Sequence, residues 1–238
     1  MKISNNTPMT LIVIDLTAGI FIAVALYMVF QYAPVEIAMG LVQKIFYFHV
    51  AAGWTGMLGF LVSFIAAIVF LRSGRSNWDI AGLAGIEIGM VFVALNIISG
   101  SIWARPIWNT WWTWDPRLTT ALIMELIYAS YLLLRNSVED LTRRAKFGAV
   151  YAIVGFVSVP LTFLSIRIFR TIHPILISSG NPGAAGASDM SPRMTQTFLV
   201  SLAAFTILFI ALFWHRIRLG SKQALLEEKR LHQMDEQE

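Results

Sequence analysis

Residues 45–71 read IFYFHVAAGWTGMLGFLVSFIAAIVFL, with no Asp, Glu, Lys or Arg and a single histidine, His49. A hydrocarbon core takes roughly 20 residues of helix to cross, so this run is long enough to span a bilayer with tilt, or to begin above it. Working outward, five more runs qualify, and the predicted spans are 9–30, 45–71, 80–102, 118–134, 147–166 and 195–214. The fourth is short. Pro160 inside the fifth should kink it near its outer end, leaving neighbouring helices to satisfy the freed carbonyl. The fold class is therefore all-α, a polytopic membrane bundle of six transmembrane helices over residues 1–218. Residues 219–238 mix Leu, Glu and Lys and read as a cytoplasmic amphipathic tail, either simply solvated or a docking surface.

Composition agrees. The 238 residues are 57% hydrophobic and 13% charged, about half the charge of a soluble domain. Of the 18 Lys and Arg, six (Lys44, Arg105, Arg117, Arg167, Arg170 and Arg193) fall on one side of the predicted bundle and the other twelve on the opposite side. The richer side should be cytoplasmic. Both termini are then inside, and loops 31–44, 103–117 and 167–193 are outside. The net charge of +4 is thus a topology signal and no sign of nucleic-acid binding. No cleavable signal peptide is expected, because the first apolar run is too long for one. The absence of cysteine excludes disulfides, thiolate metal sites, a CxxC pair and thioether attachment of a heme. Nothing resembles a P-loop, HExxH or GxSxG motif. Small residues crowd 51–59 and 82–89, which marks close helix packing.

The predicted outer loop 103–117, WARPIWNTWWTWDPR, holds five of the eight tryptophans: Trp103, Trp108, Trp111, Trp112 and Trp114. An interfacial aromatic belt explains one or two of them. Five, interleaved with Arg105, Asn109, Asp115 and Arg117, make a flat apolar surface with a few fixed polar groups, suited to a large planar ligand. Arg105 and Arg117 could pair with carboxylates of that ligand; alternatively Arg117 pairs only with Asp115. His49 and His173 are predicted on the same side. Neutral imidazoles are good iron ligands, and two can cap a porphyrin from opposite faces. Pro174 biases His173 toward extended backbone. His215 and His232 read as ordinary helix-end and tail residues. Asp15, Glu87, Asn96 and Glu125 lie within spans, where they serve either function or interhelical hydrogen bonding, with no partner evident. Segment 178–192 is rich in small residues, Gly and Pro and reads as a mobile outer loop, a candidate gate.

The stretch IWNTWWTWDPRLT at 107–119, followed by an apolar helix, resembles the WWD signature of membrane heme-handling proteins, and the plan of the whole chain resembles the CcmC family of cytochrome c maturation. The resemblance implies a multi-pass protein of the bacterial inner membrane, with both termini cytoplasmic. It implies transient, non-covalent heme b at the periplasmic face, held by the WWD loop (Trp103, Trp108, Trp111, Trp112, Trp114 and Asp115). His49 and His173 match the axial ligands, and Arg105, Arg117, Arg167 and Arg170 are candidate propionate contacts. It implies loading of a periplasmic CcmE-type heme chaperone, in a complex with a CcmA-type ABC ATPase, a CcmB-type membrane subunit and a small CcmD-type membrane protein. The chain itself would be a delivery protein and no enzyme. One departure is Asn109, where the family commonly has Gly. Heme lyases share the signature but are larger; a heme-exporting transporter subunit and a membrane cytochrome are the other readings.

Overall fold

The computed structural model describes residues 7–37, 39–173 and 190–235, which are helical with no strand among them. The helices are α1 (Met9–Tyr27), α2 (Lys44–Ser73), α3 (Ser76–Trp108), α4 (Pro116–Ser137), α5 (Leu141–Gly155), α6 (Ser158–Ile168) and α7 (Pro192–Asp235). A π-helical turn, Met28–Tyr32, extends α1. Six segments are long and apolar enough to cross a membrane: Met9–Tyr32, Leu41–Ser73, Ser76–Trp108, Pro116–Ser137, Leu141–Ile168 and Pro192–Arg230. Each expected span is present and longer than its apolar run, because the helices continue through polar flanks. The tail expected after residue 218 is helical and continuous with α7. Residues 174–189, most of the expected mobile loop, and the side chain of His232 lie outside the described residues.

Three antiparallel pairs build the bundle. The α2–α3 pair is central, with α1–α7 on one flank and α4 with α5 and α6 on the other. Gly74, at φ 67°, caps α2 in the left-handed region that glycine enters without steric cost, and α3 returns at once. Small residues then let the two backbones touch. A methyl group built on Gly59 would lie 2.6 Å from the Gly85 carbonyl oxygen and 2.9 Å from the Gly89 Cα; one on Gly56 would lie 2.5 Å from Val93 Cγ2. Without a hydrophobic drive between helices in lipid, such close approach is a main source of association. Around the seam, Phe60 stacks on Tyr128 at 3.6 Å and Phe64 on Phe156 at 4.4 Å.

The polar residues within the spans acquire partners. Arg135 forks onto the Asp79 carboxylate at 2.6 and 2.8 Å, joining α4 to α3. Arg216 on α7 binds Glu87 on α3 through two nitrogens. His215 on α7 meets Asp15 on α1 at 3.0 Å. These three pairs lie toward the end opposite the tryptophans. One buried oxygen of Glu125 has no partner among the described residues.

The fifth span is interrupted closer to its middle than expected, between α5 and α6, four residues before Pro160. Proline's ring collides with the carbonyl four positions back, here Phe156, so the helix breaks at Phe156–Val157. The freed Phe156 carbonyl accepts from the Val159 amide at 3.0 Å, and Ser158 Oγ donates to the adjoining Gly155 carbonyl at 2.6 Å, so donors of the same span, rather than a neighbouring helix, serve the break.

Gly59→Ala should cost about 1–3 kcal/mol by forcing α2 from α3, lowering the thermal unfolding midpoint in detergent. Gly19→Ala, with nothing within 4 Å of the added methyl, should leave the midpoint unchanged or slightly raised.

Candidate functional site

The tryptophan segment is half helix. The last turns of α3 carry Trp103, Arg105 and Trp108, and the irregular part is confined to residues 109–115. The turn between them depends on Asn109, which ends α3 at φ 55°, ψ 22°. That left-handed conformation is commonest for Gly and next for Asn, so Asn in place of the glycine implied by the resemblance keeps the turn. Arg105 Nη1 reinforces it, donating to both the main-chain and side-chain oxygens of Asn109 at 2.7 Å. Thr110 Oγ1 donates to the Trp112 carbonyl at 2.9 Å and shapes the loop. Trp103 and Trp108 pack edge to face at 5.0 Å, as do Trp112 and Trp114 at 5.9 Å. Trp111 and Trp114 are 58% and 75% exposed, whereas Trp103, Trp108 and Trp112 are half-buried.

Asp115 closes the loop and opens α4. Its Oδ1 accepts from the Arg117 amide at 2.9 Å, a helix cap with Pro116 at the first helical position. The same buried carboxylate also reaches a segment 56 residues away. Thr171 Oγ1 lies 2.7 Å from both carboxylate oxygens, and the Ile172 amide donates to Oδ2 at 3.0 Å. The His173 amide in turn donates to Thr171 Oγ1 at 3.0 Å. Asp115 is therefore a staple between the tryptophan loop and the segment that carries His173.

His49 sits one level deeper, on α2 against α3. A methyl group on Gly100 would lie 2.8 Å from His49 Cε1, so the imidazole occupies the space that this glycine leaves. Its Nδ1 is 2.9 Å from the Asn96 carbonyl oxygen and 3.2 Å from Ser99 Oγ. A carbonyl only accepts, so Nδ1 carries the proton and Nε2 holds the lone pair, with the Asn96 side-chain nitrogen 3.3 Å from it. The Asn96 side-chain amide donates to the His49 carbonyl at 2.8 Å and ties the same turn of α2 to α3. The His49 and His173 rings are neighbours, with centroids 6.4 Å apart and planes inclined by 34°.

The arginines differ in role. Arg117 directs its guanidinium to the Thr162 carbonyl on α6, not to the Asp115 carboxylate, which takes its amide instead. Arg105, Arg167 and Arg170 are exposed at the same end of the bundle. Lys44 donates to the Phe30 carbonyl at 2.8 Å and Arg193 covers the Tyr32 ring. His215 is spent on Asp15. Among the described residues no group of three or more His, Asp or Glu could hold a metal ion. Sequence reading did not find Asn96 and Ser99 as supports for His49, nor Thr171 as the link to His173.

Asn109→Gly should leave the turn and the unfolding midpoint essentially intact. Asn109→Val puts a β-branched residue in the left-handed region and should cost about 1–2 kcal/mol, read as a lower unfolding midpoint in the same detergent.

Comparison with known proteins places these residues in a family. The model of the family "CcmC: Heme exporter protein C" matches residues 2–233. The chain is 33% identical over 193 residues to heme exporter protein C of Bradyrhizobium diazoefficiens, covering 81% of this chain and 72% of that one. It is 30% identical over 194 residues to the Rhodobacter capsulatus protein of the same name, covering 79% and 77%. With the Escherichia coli K12 protein of that name it shares 28% over 201 residues, covering 84% and 78%.

Proposed function

The chain belongs to the CcmC, heme exporter protein C, family of cytochrome c maturation, and from that premise we propose that it holds heme between His49 and His173 against the tryptophan loop and delivers it to a periplasmic heme chaperone. The observation that carries this reading is the closeness of the two imidazoles. A metal–imidazole bond is about 2.0–2.1 Å, so two imidazoles that would bind one ion from opposite sides, each through an in-plane nitrogen, would have centroids roughly 6 Å apart, close to the 6.4 Å found here. Two protein ligands alone make a poor site for a free ion. They suffice when the ligand brings its own equatorial donors, as a porphyrin does. The donor set therefore fits heme and fits no resident metal.

The surrounding chemistry agrees. Heme, when bound, would supply an iron that takes imidazole nitrogens and a flat apolar disc with two carboxylates. The tryptophans offer the apolar wall. Arg105, Arg167 and Arg170, exposed at that end, are the candidate propionate partners, because a guanidinium has donors to spare beyond one occupied nitrogen. Arg117, with one nitrogen given to the Thr162 carbonyl, is a fourth candidate on the same ground. The Nδ1-protonated tautomer of His49 would leave Nε2 as the nitrogen for the iron.

On the charge distribution, the tryptophan end faces the periplasm and both termini face the cytoplasm of a bacterial inner membrane. Lacking any nucleotide-binding motif, the chain relies on a separate ABC-type ATPase with its membrane subunit for energy, and a small membrane protein completes the complex. Its own part is binding and transfer. A heme-exporting path through the bundle is the rival. Two of the three carboxylates that would line it, Asp15 and Glu87, are committed to His215 and Arg216.

Purified protein should show the absorbance of six-coordinate, low-spin heme. His49→Ala and His173→Ala should each abolish that form and reduce chaperone loading. Unaltered spectra together with undiminished loading in both variants would overturn the two-histidine site.

A further inference from the structure

The two neighbouring histidines are held in different ways. His49 rides on a continuous helix, its ring seated on Gly100 and hydrogen-bonded to Asn96 and Ser99. His173 follows the end of α6 at Ile168 in non-helical backbone. Its segment is carried to the tryptophan loop through Thr171 and Ile172, which converge on one buried carboxylate, Asp115.

We propose that Asp115 is a positioning residue for His173, acting through Thr171, so that closing this staple helps set the second histidine at the tryptophan loop. The inference rests on the heme-holding reading above and deepens it by saying how one ligand is regulated separately from the other. The chemistry suits the task. A carboxylate that accepts from a hydroxyl and two amides makes charge-assisted bonds, about twice as strong as neutral ones. The Thr171 hydroxyl passes the tie onward by accepting from the His173 amide. None of these hydrogen bonds involves His49. Opening the staple would therefore loosen the His173 segment and leave the supports of His49 in place, so that the two histidines would be held on bound heme independently.

The test uses two variants, because Asp115 also caps α4. Asp115→Asn keeps a capping oxygen but lacks the second acceptor oxygen; Thr171→Val leaves the cap untouched and deletes the relay. Thr171→Ser retains the hydroxyl and serves as rescue. The chain has no cysteine, so Ile172→Cys gives a single site for a nitroxide on an exposed side chain, read on the full-length protein without heme. Asp115→Asn and Thr171→Val should mobilise the label, and Thr171→Ser should not. In heme-loaded protein, both staple variants should lose the six-coordinate spectrum and retain heme about 10- to 100-fold more weakly, the range for lost support of a metal ligand. Added imidazole should restore the six-coordinate form, as it should in His173→Ala, which misfolding would not permit. An immobile label in both staple variants, or a spectral loss that imidazole does not repair, overturns the proposal. If His173→Ala itself keeps the parent spectrum, the two-histidine reading fails instead, and the nitroxide measurement alone decides whether the staple exists.

Discussion

The contact of α2 with α3 through bare backbone governs the rest of the molecule. Gly56 and Gly59 on one helix and Gly85 and Gly89 on the other bring main chains within a distance that any side chain would open. The seam continues toward the tryptophan end, where Gly53 faces Asn96 and Gly100 faces His49. One row of small residues thus fixes the helix separation and the depth of the histidine. At lipid depth an imidazole needs a hydrogen-bond partner, and close approach brings the Asn96 carbonyl and Ser99 hydroxyl within reach of Nδ1. Packing and hydrogen bonding are here the same constraint, because the separation that lets backbones touch also sets the tautomer of His49.

The two ends of the bundle spend their polar groups differently. Toward the opposite end, Asp15–His215, Asp79–Arg135 and Glu87–Arg216 join helices in acid–base pairs, which is how ionisable groups persist inside a membrane protein. Breaking one such pair leaves a charge uncompensated, and its loss is felt more than its presence. Toward the tryptophan end, polar groups act on backbone: Arg105 on Asn109, Arg117 on Thr162, Asp115 on the Arg117 and Ile172 amides. Pairs that hold helices together give way to contacts that shape irregular chain, because an irregular segment has amides and carbonyls that no helix satisfies.

Much of this was legible from sequence for identifiable reasons. The six spans follow from apolar length alone. Grouping His49 and His173 with the tryptophans needed only the parity of the spans and the bias of Lys and Arg. The glycine seam was visible as clustered small residues, though not its extension to Gly100, which is a lone glycine at the end of α3. Partner choice was hidden, because Asp15 meets a residue 200 positions away and nothing local encodes that register. Asp115 was read as part of the heme surface, since its neighbours are tryptophans; its bonds to Thr171 and Ile172 depend on where α6 ends. The break before Pro160 was misplaced because proline acts on the carbonyl four residues upstream, shifting the damage away from the residue that causes it.

The structure also divides the tryptophans, which composition presents as one surface. Trp103 and Trp108 belong to α3 and brace each other edge to face, and Trp112 is half-buried beneath Trp114. These three are framework. Trp111 and Trp114, largely exposed, are the rings with free faces, and a planar ligand needs faces rather than edges. The framework rings brace the loop on both sides of Asn109, and Asp115 holds the His173 segment from the end of that loop. A loop anchored only by interfacial partitioning would drift with the bilayer surface, and a carboxylate on it could not define the place of that segment. On the proposed function the density of tryptophan serves two requirements, an apolar face for the ligand and a braced mount for Asp115, of which the sequence displays only the first.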